Sequence, residues 1–489
     1  MPRSTPRLLP ILLALAPAAS AGEATLARTS LEHRRADGGV ARAERCRLRV
    51  PIVRADPQSK PIEIDVWRFL AQAGAPEGVP PIFLLHGGPG WPGVEEHQID
   101  WEGQVAQFTR FAELVYVGQR GIGSSTDLPC DASVVGPPPP ADADDAALAE
   151  LLRAASARCR AHWEAQGYDT RGLNVREAAA DVADVARLLG HEKIQLYGGS
   201  FGSHWSMAVL RFHADLVARA VLNGMEGPDH TYDRPSGVLK ALERMAAAAE
   251  AAPQLAGHVP EGGLIAALRA VIEGVEEEPF EVELPGAGEV RIDAEGLRGL
   301  ALGVSARVSS RSGMPSWPAD VLALHRGEFE AAARAIHAAQ AETLTLPGAA
   351  FFGLDCGSGI TRPRLAEYQG DPATALLGDL ARFYESTCPA WGTDLGDEFR
   401  QGFRSAVPTL IVQGLWDVNT PFENALECLP FFERVHFIPV DGGSHAALDE
   451  ALRLAPGFRE ALLAFLETGS LEGLPAEVAL PPIAWAVPR

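Results

Sequence analysis

Positive charge is scarce in this sequence of 489 residues: 42 lysines and arginines stand against 64 aspartates and glutamates, a formal charge of −22. That balance leaves no basic stripe to neutralise phosphates, which excludes a nucleic-acid partner. Long apolar runs are missing too. The stretch Leu8 to Ala19 is apolar, but about a dozen residues fall short of the ~20 that a membrane-spanning helix needs, so no stable membrane insertion is expected. Cysteine is sparse, at Cys46, Cys130, Cys159, Cys356, Cys388 and Cys428. No pair forms C-x-x-C and no H-E-x-x-H occurs, so no metal or cofactor is expected.

The amino terminus carries an address. Arg3 and Arg7 precede the apolar Leu8–Ala19 run, and Ala19-Ser20-Ala21 fits an A-x-A cleavage site. Residues 1–21 therefore read as a signal peptide of an exported protein, periplasmic or secreted. An even cysteine count in an oxidising compartment permits disulfides. The preferred pairs are Cys130 with Cys159, which bracket a proline-rich loop, and Cys356 with Cys388; Cys46 and Cys428 are left over.

Beyond the signal, residues 22–45 form a polar lead-in without a clear pattern. Leu48–Val53 and Ile62–Leu70 alternate like an antiparallel hairpin. The wholly apolar run Pro81–Leu85 is followed by further strand-like runs at Glu113–Val117, Ile194–Tyr197 and Ala218–Leu222, with helical patterns between them. This rhythm indicates a mostly parallel, doubly wound sheet. It breaks near Glu226. Residues 227–404 read mainly as amphipathic helices, such as Val238–Ala251, Gly263–Val275 and Pro318–Ala339, with one hairpin at Phe280–Asp293. They are expected to form a lid over the strand ends. The sheet resumes at Pro408–Val412 and Arg434–Pro439, so residues 46–226 and 405–489 build one core.

The chemistry is written at the ends of these strands. Gly198-Gly199-Ser200-Phe201-Gly202 follows a strand and opens a helix, the context in which G-x-S-x-G is a nucleophile elbow. Side chains two residues either side of so tight a turn would collide, hence the glycines. A serine nucleophile needs a base and an orienting carboxylate, in chain order Ser, Asp, His. Asp417 and His445 follow apolar strands in that order. The Phe201 N–H should supply one oxyanion donor, and Gly88, in the His86–Gly90 loop after a central strand, the other. Gly121-Ile122-Gly123 lacks the spacing of a dinucleotide site.

His86-Gly87-Gly88-Pro89-Gly90, Gln119-Arg120-Gly121-x-Gly123-x-Ser125, the elbow, Asp417 and His445 together resemble the proline iminopeptidase and tripeptidyl aminopeptidase family of α/β-hydrolases, from about Cys46 to His445. The bracketed loop and the lid cysteines look like its exported tripeptidyl aminopeptidase branch. One departure is Gly118, where the family usually has Asp. The resemblance implies a serine aminopeptidase acting on peptides with a free N-terminus. Such chemistry calls for an acidic group to hold the substrate ammonium. Glu226 is the first candidate and Asp355 the second. The alternative is a carboxylesterase or lipase on the same triad. A catalytically silent binding protein would be expected to have lost a triad member. Ser200→Ala should abolish turnover and leave the fold intact; an active Ser200→Ala protein overturns the reading.

Overall fold

The computed structural model describes residues 23–56, 58–136, 145–301, 308–341 and 347–488; the expected signal peptide lies outside them, as does part of the proline-rich loop. The strands are β1 (Thr25–Arg34), β2 (Val40–Pro51), β3 (Pro61–Phe69), β4 (Ile82–Leu85), β5 (Leu114–Val117), β6 (Ile194–Gly199), β7 (Val217–Asn223), β8 (Phe280–Leu284), β9 (Gly288–Ile292), β10 (Thr409–Gly414), β11 (Val435–Asp441) and β12 (Val478–Ala479). All but β8 and β9 make one sheet, in the order β1-β2-β3-β5-β4-β6-β7-β10-β11-β12. The pairings among β1, β2, β3 and β5 are antiparallel; from β5 to β12 every pairing is parallel.

The short central strands are apolar because both faces are covered. Phe83, Leu85, Val115 and Val117 enter one core with the helix Val175–Leu189 and the elbow helix Phe201–Phe212. Ile82, Leu84, Leu114 and Tyr116 enter the other, with Phe108 and Leu462. The chain reverses its strand order around β4, so the loops leaving β4 and β6 meet at the carboxyl edge, where α/β sheets place their sites.

Two expectations need correction. The stretch 22–45 is not a patternless lead-in but holds β1 and the start of β2, paired from Thr25↔Arg49 to Arg34↔Val40. As the sheet's edge, β1 is largely exposed on both faces, so it lacks the apolar alternation that marks a half-buried strand. The single helix read at Pro318–Ala339 is two, Trp317–His325 and Glu330–Ala341. Gly327 takes a left-handed φ of 83° between them and ends the first.

Between β7 and β10 lies the long insertion of helices and the β8–β9 hairpin. Its own core gathers Leu242, Met245, Leu268 and Trp317, and packs onto Trp416 and Trp485. The disulfides Cys130–Cys159 and Cys356–Cys388 are the two preferred pairs, and Cys46 and Cys428 are buried free thiols. Among the described residues no helix is long and apolar enough to cross a membrane.

One buried ion cluster ties the core together. Arg120, fully buried, donates Nε to Asp181 Oδ2 at 2.8 Å and Nη2 to Oδ1 at 2.9 Å. Arg54 Nη2 meets the same Oδ1 at 2.6 Å. Burial alone would raise the Asp181 pKa, but Arg120 and Arg54 outweigh it and hold the carboxyl below its usual range. Asp181→Asn should therefore cost about 3–5 kcal/mol in urea unfolding, because it leaves buried guanidiniums uncompensated. With the folded pKa below the unfolded value, this stabilisation is present above about pH 4 and is lost as pH falls through the folded pKa. The gap between wild type and variant should narrow below that pH; a constant gap contradicts the assignment.

Candidate active site

Ser200 joins β6 to the helix Phe201–Phe212 with φ 56° and ψ −133°, the one positive φ outside glycine among the described residues. A backbone so placed costs about 1–3 kcal/mol and persists only where its surroundings enforce it. They do. A methyl group on Gly198 would stand 2.3 Å from the Gly202 carbonyl, and one on Gly202 would stand 2.0 Å from the Leu85 carbonyl. The Ser200 N–H donates to Asn223 O at 2.9 Å, and its carbonyl accepts from the Ser203 N–H at 2.7 Å. Phe201 N–H begins the helix, where an amide has no intrahelical acceptor.

Leu85 of β4 pairs with Gly198 of β6, which lays the 86–90 loop against the elbow. Gly87 sits so close that a methyl there would be 2.7 Å from Ser200 Cβ. Gln119 holds this loop: its Oε1 accepts from the Gly90 N–H at 2.8 Å, and its Nε2 donates to the carbonyls of His86 at 3.3 Å and Gly87 at 3.4 Å. In a trans peptide the Gly88 N–H points opposite to the Gly87 carbonyl, so the clamp aims that amide away from Gln119. The neighbouring Arg120 anchors the turn through Asp181. Gly118 has a steric reason: a Cβ there would meet Asp65 O at 2.8 Å and Ser125 Oγ at 3.0 Å.

His445 and Asp417 are also brought together. His445 Nδ1 lies 3.0 Å from both Asp417 oxygens and donates to that carboxylate. Asp417 is fully buried and further accepts from the N–H groups of Asn419 (2.9 Å) and Thr420 (3.0 Å), Thr420 Oγ1 (2.8 Å) and Gln413 Nε2 (3.1 Å). Burial lowers the imidazole pKa, but the Asp417 charge and hydrogen bond outweigh it and the net shift is upward. Ser444 fixes the loop by donating Oγ to buried Glu450 at 2.6 Å. Among the described residues no hydrogen bond joins Ser200 Oγ to the imidazole, a contact that tightens in substrate complexes. The two loops meet through Asn223, whose Nδ2 donates to His445 O at 3.1 Å.

Above this group stand three carboxylates. The Glu226 N–H donates to Ser203 Oγ at 2.9 Å, one turn into the elbow helix. Asp355 is buried and accepts from Tyr384 Oη at 2.9 Å; Asp233 accepts from Asn424 Nδ2 at 2.7 Å. Burial, then the charges of Asp355 and Asp233, raise the Glu226 pKa well above its usual value. Burial likewise lifts Asp355 to about 7, against the Tyr384 hydrogen bond, and Asp233 to about 7, against that of Asn424. Asp355 lies on a π-turn, Phe352–Cys356, that the Cys356–Cys388 disulfide ties to the helix carrying Tyr384. Tyr232 and Tyr384 stack at 5.0 Å, and Phe351 continues the wall at 5.9 Å from Tyr384. Sequence reasoning gives no role to Asp233, Asn223 or Gln119, although Gln119 opens the Gln119–Ser125 motif. Asn223 had a signal, since it ends an apolar strand; Asp233 had none, because nothing local reveals how the insertion folds back. Among the described residues no group of three or more His, Cys, Asp or Glu could hold a metal ion.

Residues 80–273 match the family described as alpha/beta hydrolase fold. No curated protein sequence matches the chain. Similar solved structures include a proline iminopeptidase-related protein from Thermus thermophilus, at 16% identity over 87% of this chain and 99% of that one, with a TM-score of 0.37. A thermophilic esterase from Thermogutta terrifontis has 16% identity over 90% and 100%, with a TM-score of 0.36. A meta-cleavage product hydrolase from Pseudomonas fluorescens has 13% identity over 84% and 96%, with a TM-score of 0.35. The parallel sheet, the elbow and the helical insertion constitute the α/β-hydrolase fold.

The raised His445 pKa predicts an acid limb of kcat/KM centred above the ordinary histidine value of about 6.5, since the base must be neutral. Asp417→Asn should move that limb downward and lower kcat by about 10⁴. Gln119→Leu should lower kcat about 10–100-fold with little change in KM, less than the 10²–10³ of losing an oxyanion donor outright. An unmoved limb in Asp417→Asn, or an unchanged kcat in Gln119→Leu, contradicts these roles.

Proposed function

We propose that this protein is an exported serine aminopeptidase that releases amino-terminal residues from peptides through an acyl-enzyme on Ser200. The observation that carries this reading is the charge imbalance above the elbow. None of Glu226, Asp355 and Asp233 forms an ion pair among the described residues, although burial makes their ionised forms costly. A buried acid without a cation is stabilised by a ligand that brings one. A peptide's free ammonium does so beside the nucleophile, and an ester with an apolar acyl group does not.

In the proposed cycle His445 takes the Ser200 proton as Oγ attacks the scissile carbonyl. Asp417 steadies the imidazolium through the hydrogen bond at Nδ1. The Phe201 and Gly88 N–H groups bear the oxyanion, at a helix start and a loop held by Gln119. His445 then protonates the leaving amine, and water, deprotonated by the same base, frees the acyl group. The aromatic wall of Tyr232, Tyr384 and Phe351 takes the apolar part of the bound residue. Export is supported by the amino-terminal pattern of residues 1–21 and by the two disulfides.

The test compares a free-amino peptidyl anilide, its N-acetyl counterpart and a simple ester. The free-amino substrate should be strongly preferred, and Glu226→Gln should cut that preference at least tenfold. Because burial pushes Asp233 and Asp355 up to about 7, protonation should raise KM for the free-amino substrate as pH falls below about 7, beyond the loss that His445 protonation causes with both substrates. Ester-only activity would instead favour a carboxylesterase.

A further inference from the structure

A second opening lies behind the elbow, away from the acidic group. It measures about 880 Å³ and runs between the 100–111 segment and the helices Ala447–Leu454 and Phe458–Thr468. That is the size of a small-molecule pocket. Leu84, Phe108 and Leu463 give it apolar walls. Its floor carries Tyr197, 7% exposed, whose hydroxyl finds no hydrogen-bond partner in the protein. A buried hydroxyl without a partner costs about 1–3 kcal/mol unless something supplies one.

Seven charged side chains border the same space, and two of opposite sign face it from one helix. Asp449 and Arg453 both line it, one turn apart on the helix Ala447–Leu454, and neither side chain makes a hydrogen bond or ion pair among the described residues. Burial raises the Asp449 pKa and the Arg453 charge opposes that shift, so the two sense each other without closing. The other acids of the segment are occupied: Asp100 caps the Gly103 and Gln104 N–H groups, and Glu102 takes the Ala36 N–H. Arg110 and Glu467 line the cavity as well, but Asp449 and Arg453 stand one turn apart on one helix, where a molecule carrying both charges on an apolar body can span them.

We propose that this cavity is a second binding site, for a free zwitterionic amino acid with an apolar side chain. Its ammonium meets Asp449, its carboxylate meets Arg453, and its side chain fills the space beside Leu84, Phe108 and Leu463. The site also reaches the triad's support. Asn223 lines the cavity and accepts the Leu448 N–H at 2.9 Å, next to Asp449, while holding the Ser200 and His445 backbones. Occupancy therefore bears on the spacing of nucleophile and base. The proposal goes beyond the peptidase reading, and either can fail without the other.

Calorimetric titration of L-leucine tests it. Ser200→Ala combined with Glu226→Gln removes turnover and the proposed ammonium contact at the active site, and it should bind leucine as wild type does. Adding Arg453→Gln or Asp449→Asn should weaken binding at least tenfold, and adding Leu463→Trp, which fills the chamber, should abolish it. Leucinamide and 4-methylpentanoate, each lacking one charge, should bind at least tenfold more weakly than leucine. Retained peptide turnover by the Leu463→Trp single variant checks its fold; should that variant not fold, Asp449→Asn and Arg453→Gln decide alone. Leucine binding that vanishes with Glu226→Gln, or survives all three cavity substitutions, overturns the proposal.

Discussion

Everything at this site depends on a backbone angle. Ser200 keeps its φ of 56° because the chain on either side is packed too tightly to relax: Gly198 lies against Gly202, and Gly202 against Leu85 at the end of β4. The same contacts press the 86–90 loop onto the serine and leave the Phe201 amide free at the helix start. Strain, oxyanion geometry and strand order are thus one constraint. A side chain at Gly198 or Gly202 would not only relax the turn; it would lift β4's loop away from Ser200.

Two clusters of buried acid are built in opposite ways. Around Asp181 every charge is matched, by Arg120 and Arg54, and the carboxyl is held ionised. Around Glu226, Asp355 and Asp233 no ion pair forms among the described residues and the pKa values rise, with the charges of Arg364 and His445 opposing part of the rise at Asp233. The first arrangement closes a turn of the core; the second leaves buried acids near the elbow helix without an ion pair, which the proposed aminopeptidase reading fills with a substrate ammonium. Buried unpaired carboxylates cost folding free energy, and the Cys356–Cys388 link, joining the turn of Asp355 to the helix of Tyr384, holds two of the groups in place against that cost.

Where structure is coded locally, the sequence makes it legible. The apolar strands read directly because both their faces are buried, and the positions of Ser200, Asp417 and His445 just past such strands are legible for the same reason. β1 was hidden because an edge strand exposed on both faces has no pattern to show. The helix break at Gly327 turned on one left-handed residue inside a good helical text. Asp233 and the Gln119 clamp depend on contacts between segments distant in sequence, which periodicity does not carry. Glu226 was placed at the right strand end, but the acids that face it come from the insertion, and their convergence is a property of the fold.

Catching the covalent intermediate would decide between these roles and any other. Rapid-quench mass spectrometry of the protein mixed with a free-amino peptidyl anilide reads both the nucleophile and the group it carries. An adduct on Ser200 with the mass of the amino-terminal acyl group is expected, and almost none from the N-acetyl peptide. Equal adducts from both substrates, or an adduct on another residue, would contradict the proposed chemistry.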